Sequence, residues 1–282
     1  MKYFFLFALT LTAQPALETG TLPASWLTGG PNCLEVPDWQ VHQYNPSFFI
    51  LRESGCINYE KPFLYLIFGK DRALLVDTGA GPVDTASFVE KLIAKRQKLP
   101  LLVVHTHAHG DHVAGDKGFA GLPDVTLIPA AVDAEQKAFN IVDQQGSIDL
   151  GDRIIDVIAI PGHQAAHVAY YDRKTSILLT GDHLYPGRLY IADFPAYVAS
   201  TQRLVDFTVT RPVAHILGNH IEQSTTPFVD YRTGTTYQPN EHSLELGRAN
   251  LLELMSVLES LHGKPARVFL RDLTIYPVEP RK

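Results

Sequence analysis

The chain has 282 residues, with 24 Lys and Arg against 30 Asp and Glu, a net charge of −6 and 45% hydrophobic residues. That composition supports a packed core and excludes wholesale disorder, and the acidic balance lacks the basic surface of a dedicated nucleic-acid binder. The length admits one large domain or two small ones. Histidine is the anomaly: four of the 12 fall between His105 and His112.

Residues 1–16 begin with Met1-Lys2, continue through an uncharged apolar run over 3–13, and close on Ala13-Gln14-Pro15-Ala16. The run is too short for the ~20 residues that span a bilayer. It has the form of a short secretory signal, or of an N-terminal apolar segment packing on the body. Cleavage would place the protein in a periplasm or outside the cell; retention would leave it cytoplasmic. Cys33 and Cys56 are the two cysteines, and they either close a disulfide or stand as separate buried thiols.

Residues 17–45 are rich in Pro and Gly and read as irregular. Short runs of Phe, Ile, Leu, Val and Tyr predict strands over 47–51, 62–68 and 72–76. Residues 83–98 space Phe88, Leu92 and Ile93 as an amphipathic helix, and 101–104 form a buried strand leading into the histidines. A strand over 125–128 and a helix over 130–140 follow, then strands over 154–160, 167–171 and 176–180. Residues 195–210 read as helix, 215–217 as strand, 241–261 as the longest helix and 266–270 as a final strand. This mixed order predicts an α/β fold with two sheets and helices outside. No charge run or linker divides residues 17–282, which are read as one domain.

His105-Thr106-His107-Ala108-His109-Gly110-Asp111-His112 follows a buried strand, so its side chains project from a strand-end loop. Imidazole and carboxylate are ligands of borderline divalent metals, zinc above all. His107 and His109, on alternate residues, can converge on one ion, while Asp111 and His112 can face a second.

The string His107-x-His109-x-Asp111-His112 resembles the signature of the metallo-β-lactamase superfamily of metal-dependent hydrolases. Further motifs follow that family's order: Asp77-Thr78-Gly79, Pro161-Gly162-His163, Thr180-Gly181-Asp182 and Gly218-Asn219-His220. The resemblance covers roughly residues 47–221. It implies a four-layer αββα sandwich of two mixed sheets, with two zinc ions per chain or with iron or manganese instead. It places His107, His109 and His163 at one metal, Asp111, His112 and His220 at the other, and Asp182 between them. Asp77 then orients a ligand histidine or closes its turn. His105 supports the ligands and His183 lies near them, while His167 and His215 read as satisfied core residues.

The implied activity is hydrolysis of a small-molecule ester, thioester or lactone by a metal-bound hydroxide, with Asp111 handling the proton. The retained Asp182 resembles glyoxalase II and the acyl-homoserine lactonases more than ordinary zinc β-lactamases, which place Cys or Ser there. Tyr185 matches the lactonase-type position for a tyrosine that hydrogen-bonds the substrate carbonyl oxygen. The loop over 231–242 is a further candidate to face substrate. Competing readings are a β-lactam hydrolase, a mononuclear iron enzyme similar to persulfide dioxygenases, and a non-catalytic metal-binding module. No nucleic acid and no membrane span are expected.

Overall fold

A computed structural model of the chain describes residues 17–30, 33, 36–96 and 98–278. The signal or apolar segment expected over 1–16 lies outside the described residues.

The N-terminal half runs β1 (Trp39–Asn45), β2 (Phe48–Glu53), β3 (Phe63–Phe68), β4 (Ala73–Val76), α1 (Thr85–Ala94), β5 (Leu101–Val104), α2 (Gly110–Val113), α3 (Asp116–Phe119) and β6 (Val125–Leu127). These strands form one six-stranded sheet in sequence order. β1 to β4 make an antiparallel meander, and β4, β5 and β6 run parallel. The C-terminal half runs α4 (Val132–Phe139), β7 (Gln145–Asp149), β8 (Ile154–Ala159), β9 (Val168–Asp172), β10 (Ile177–Gly181), β11 (Arg188–Ile191), α5 (Phe194–Phe207), β12 (His215–Gly218), β13 (Glu245–Leu246), α6 (Arg248–Ser260), β14 (Val268–Phe269) and β15 (Thr274–Pro277). Its main sheet has the order β13-β12-β10-β9-β8-β7, with β10 and β12 parallel.

Every residue of β3 is buried, because both faces of its sheet are covered. A strand in that position reads as an unbroken apolar run rather than an alternating one. Phe63, Tyr65 and Ile67 meet Val157, Val168, Tyr170 and Leu179 of the second sheet in the central core. Leu64, Leu66 and Phe68 face the other way, onto Ala86, Val89 and Ile93 of α1 and Phe119 of α3. On the far side, Ile158, Tyr171, Leu178 and Ile216 pack under α5 and α6. The result is the expected four-layer αββα sandwich.

Several elements depart from the sequence reading. β1 lies within the stretch read as irregular; it is an edge strand whose middle residues, Val41, His42 and Gln43, are at least partly exposed, so no apolar alternation marks it. A third sheet, β11-β15-β14, packs on the α5–α6 side. Its β14 falls within the strand expected over 266–270, whereas β11 and β15 have four residues each, too few for a pattern. α6 starts at Arg248 rather than 241, because Glu245 and Leu246 pair with Leu217 and Ile216 of β12. Cys33 and Cys56 form a disulfide.

Candidate metal centre

The chemistry collects at one end of the sandwich. Asp77 follows β4, the histidine cluster follows β5, Asp182 follows β10 and His220 follows β12, so parallel pairing aims these loops together. Loops at the carboxyl ends of parallel strands are where α/β folds build sites.

Two ligand sets result. In the first, His109 Nδ1 lies 3.0 Å from His107 Nε2 and 2.9 Å from His163 Nε2. In the second, Asp111 Oδ2 lies 3.3 Å from His112 Nε2 and 3.2 Å from His220 Nε2. Asp182 stands between them. Its Oδ2 is 3.9 Å from His107 Nε2 and 3.6 Å from His163 Nε2, while its Oδ1 is 3.6 Å from His112 Nε2 and 3.3 Å from His220 Nε2. Within each of the sets His107-His109-His163 and Asp111-His112-Asp182-His220, all ligand atoms lie within 4.8 Å of one another.

The far nitrogen of each ring fixes which atom faces inward. His163 Nδ1–H donates to the Tyr190 carbonyl at 2.7 Å, and His220 Nδ1–H to the Glu60 carbonyl at 2.9 Å. His112 Nδ1–H donates to Asp77 Oδ2 at 3.0 Å. With Nδ1–H engaged in this way, Nε2 is the atom each ring turns to the centre, and it offers a lone pair there whenever the ring is neutral. Asp77 is the hub of this outer frame: it also accepts from Thr106 N at 2.7 Å, Thr106 Oγ1 at 2.9 Å and Asn219 Nδ2 at 2.7 Å. One buried carboxylate thereby ties together the ends of β4, β5 and β12. Gly162 is equally constrained, with φ +142° and a would-be Cβ only 2.5 Å from Tyr197 Cα, so a side chain there would displace the turn that carries His163.

Electrostatics divide the two sets. Burial, reinforced by the neighbouring imidazoles of His112 and His167, holds His107 well below the usual histidine range. Burial also lowers His163. At His112 burial acts the same way, but Asp111, Asp182 and Asp77 outweigh it and raise the ring well above its ordinary value. His220 is pushed up to about 10, because Asp182 and Asp111 override its burial. Conversely, His112 and His220 hold Asp111 and Asp182 below the usual carboxylate range despite burial. His107 and His163 are thus held neutral and ready for a cation, whereas His112 and His220 hold protons that a cation must displace.

Nitrogen donors with two carboxylates form a donor set that suits zinc. Asp182 Oδ1 adds a specific sign of fit, being buried without a hydrogen-bond partner among the described residues. All seven residues expected to ligate metal therefore meet at one place. A cavity of about 730 Å³ opens onto them.

Tyr185 lines that cavity, but its hydroxyl donates to the Arg188 carbonyl and lies 3.2 Å from Glu222 Oε2. It is tied into the wall rather than aimed at the ligand sets. His105 bridges Asp116 Oδ1 at 2.8 Å and the Ile128 carbonyl at 3.1 Å, supporting the cluster from behind. His183 lies 3.0 Å from Thr201 Oγ1, with its ring on Tyr197. His215 pairs with Glu245 at 2.6 Å. His167 departs from expectation: it is buried beside His107 and His163, yet neither ring nitrogen has a partner among the described residues. The sequence reading gave no role to Glu60, Thr106, Arg188, Asn219 or Glu222. Asn219 and Thr106 stand inside the motifs, but nothing local marks the other three.

The sequence model of the metallo-beta-lactamase superfamily matches residues 61–220, more than half of the chain, and the chain belongs to that superfamily. Among curated relatives, a hydroxyacylglutathione hydrolase of Nostoc punctiforme is 31% identical over 142 residues, 44% of this chain and 51% of the relative. One from Yersinia pestis is 28% identical over 151 residues, 52% of this chain and 57% of the relative. The chain spans about half the length of the curated relatives it matches. Solved structures with the same fold include a metallo-beta-lactamase of Hirschia baltica, with TM-score 0.58, 16% identity and coverage of 79% and 98% of the two chains. Another is a metallo-beta-lactamase from Pontibacter korlensis, with TM-score 0.56, 18% identity and coverage of 78% and 99%. At such identities the likeness is one of fold. No helix among the described residues is long and apolar enough to cross a membrane.

Proposed function

We propose that this protein is a hydrolase of carbonyl substrates (esters, thioesters or lactones) that works with two zinc ions. The observation that carries the reading is Asp182, whose two carboxylate oxygens face different ligand sets. His107, His109 and His163 would hold one ion, Asp111, His112 and His220 the other, and Asp182 both. Bound zinc supplies a water-derived nucleophile at neutral pH and polarises a carbonyl. Asp111 lines the cavity, which supports it as the carboxylate that would hold a proton and pass it toward the leaving group. Tyr185 keeps the wall in place; to reach a substrate oxygen its hydroxyl would have to leave the Arg188 carbonyl. The relatives' name supports a thioester as one substrate. The disulfide supports export to an oxidising compartment.

Metal analysis of purified protein, joined to a panel of lactone, thioester, aryl ester and cephalosporin, tests this reading. Two zinc ions per chain are expected, with turnover of one of the first three that chelation abolishes. One iron per chain with oxygen uptake would overturn it.

A further inference from the structure

The cavity over the two ligand sets is rich in hydrogen-bond acceptors and poor in side-chain donors. Beyond the ligand residues, its polar side chains are Glu60, Glu222, Tyr185 and Tyr190. Glu222 accepts with both carboxylate oxygens, from the Arg188 guanidinium at 2.6 Å and from the Arg188 backbone N–H at 2.7 Å. Tyr185 has spent its O–H on the Arg188 carbonyl. His109 turns Nδ1 to its own set, which directs its Nε2 away from that set. Tyr190 is the remaining hydroxyl.

A guanidinium can only donate. Where Arg188 Nε–H meets Tyr190 Oη at 2.9 Å, the phenol oxygen is therefore the acceptor, and its own hydrogen points elsewhere. None of the described residues accepts that hydrogen. Arg188 is buried, and its other N–H groups also reach Asp230 Oδ2 at 2.7 Å and the Tyr231 carbonyl at 2.5 Å, so it is held against the hydroxyl. The tyrosine is fixed as well. Its backbone carbonyl accepts from His163 Nδ1–H, and its ring stands 5.0 Å from that of Tyr276, its partner across β11 and β15. A charged donor on the phenol oxygen strengthens the hydrogen bond that the O–H can give. The hydroxyl bonds Arg188 and none of the ligand atoms, so it addresses a part of the substrate beyond the scissile carbonyl.

Resting on the reading of this cavity as the seat of a carbonyl hydrolase, we propose that Tyr190 determines specificity as a hydrogen-bond donor. Its O–H bonds an accepting oxygen, an amide carbonyl above all, that the substrate carries away from the bond to be cleaved. A substrate whose acyl part is plain hydrocarbon displaces water from that hydrogen without replacing it, and is disfavoured.

The test uses zinc-loaded protein and pairs of ligands matched in length. Aryl esters of N-acetylglycine, N-acetyl-β-alanine and N-acetyl-4-aminobutanoate are each compared with the ester of the alkanoate of equal chain length. The corresponding hydroxamates, which are not cleaved, report affinity by calorimetry. Tyr190→Phe keeps the ring and the backbone carbonyl that holds His163, and comparing each pair in wild type and variant cancels differences in intrinsic reactivity. At the best of the three spacings, the amide's advantage should fall about five- to tenfold in the variant. An advantage retained in full at every spacing overturns the proposal. An N-methylated amide keeps the accepting oxygen and lacks the N–H, and the wild type should still prefer it to the alkanoate. If it does not, the proposal is overturned, and this comparison decides even where Tyr190→Phe fails to fold. Esters cleaved without this coupling leave the hydrolase reading standing and sink this one. Hydroxamate pairs that show the coupling while no ester is cleaved do the reverse.

Discussion

At the residue scale, the centre depends on side chains that never face it. Asp77 receives four hydrogen bonds, from Thr106 N, Thr106 Oγ1, His112 and Asn219. Asp77→Ala leaves buried donors unpaired at about 1–3 kcal/mol each and frees the His112 ring. We expect a clearly lower unfolding midpoint and metal affinity reduced about 10- to 100-fold, read by urea titration and chelator competition. His220 gives a pH prediction. Its folded value of about 10 lies above the ordinary 6.5, so its stabilisation of the metal-free protein is full below 6.5 and fades as pH rises toward 10. Metal requires the neutral ring, so zinc affinity rises over the same window and uptake releases protons. Calorimetry in two buffers of different ionisation enthalpy measures that release, and zinc uptake without protons at pH 7 would contradict the assignment. Of this centre, the seven candidate ligands were legible because they sit in short strings. Glu60, Arg188 and Glu222 were not, since their roles depend on neighbours remote in sequence.

At the element scale, the turns matter more than the strands they join. Gly162 precedes His163 and lies against α5, whose first turn is set by Asp193 accepting from Ala196 N. Gly162→Ala should shift the turn and remove His163 from its set. Zinc per chain should fall toward one while the fold, followed by circular dichroism, survives. The disulfide joins residues 23 apart and secures the segment leading to Glu60, whose carbonyl holds His220. Cys56→Ser should cost about 3 kcal/mol in the chain-entropy description, measured by denaturant unfolding, and should also weaken zinc binding. The sequence left this pair open because spacing alone cannot say whether two thiols meet. The same limit hid β11 and β15, which pair in parallel across more than eighty residues of chain.

At the scale of the whole molecule, the sandwich is held by its central core and by a buried charge clamp. Arg153, at the start of β8 in the second sheet, pairs with Asp172 of β9. It also donates to Ser47 Oγ at 2.8 Å and to the Phe68 carbonyl at 3.2 Å, both belonging to the first sheet's side. Removing one member leaves the other charge buried and unpaired. Asp172→Ala should therefore destabilise the protein by about 3–5 kcal/mol, whereas an apolar double replacement should recover much of the loss; denaturant titration of both variants measures it. The clamp lies between strands that also carry the site, so the Asp172→Ala protein should lose zinc more readily on warming.

The sequence by itself determined the layers and the candidate ligands. Unbroken apolar runs in β3 and β5 can be buried only between covered faces, and a histidine cluster after a buried strand projects from its end. The tertiary structure decided how the ligands are shared and what surrounds them. Asp182 stands between two sets because β5 and β10 lie in the two different sheets that pack face to face, and the loops after both strands reach the site. The pairing of Glu222 is likewise a fact of the fold, since it depends on Arg188, which Glu222 shares with Asp230. Local sequence encodes what each side chain can do; only the packed chain fixes which partners remain to be filled.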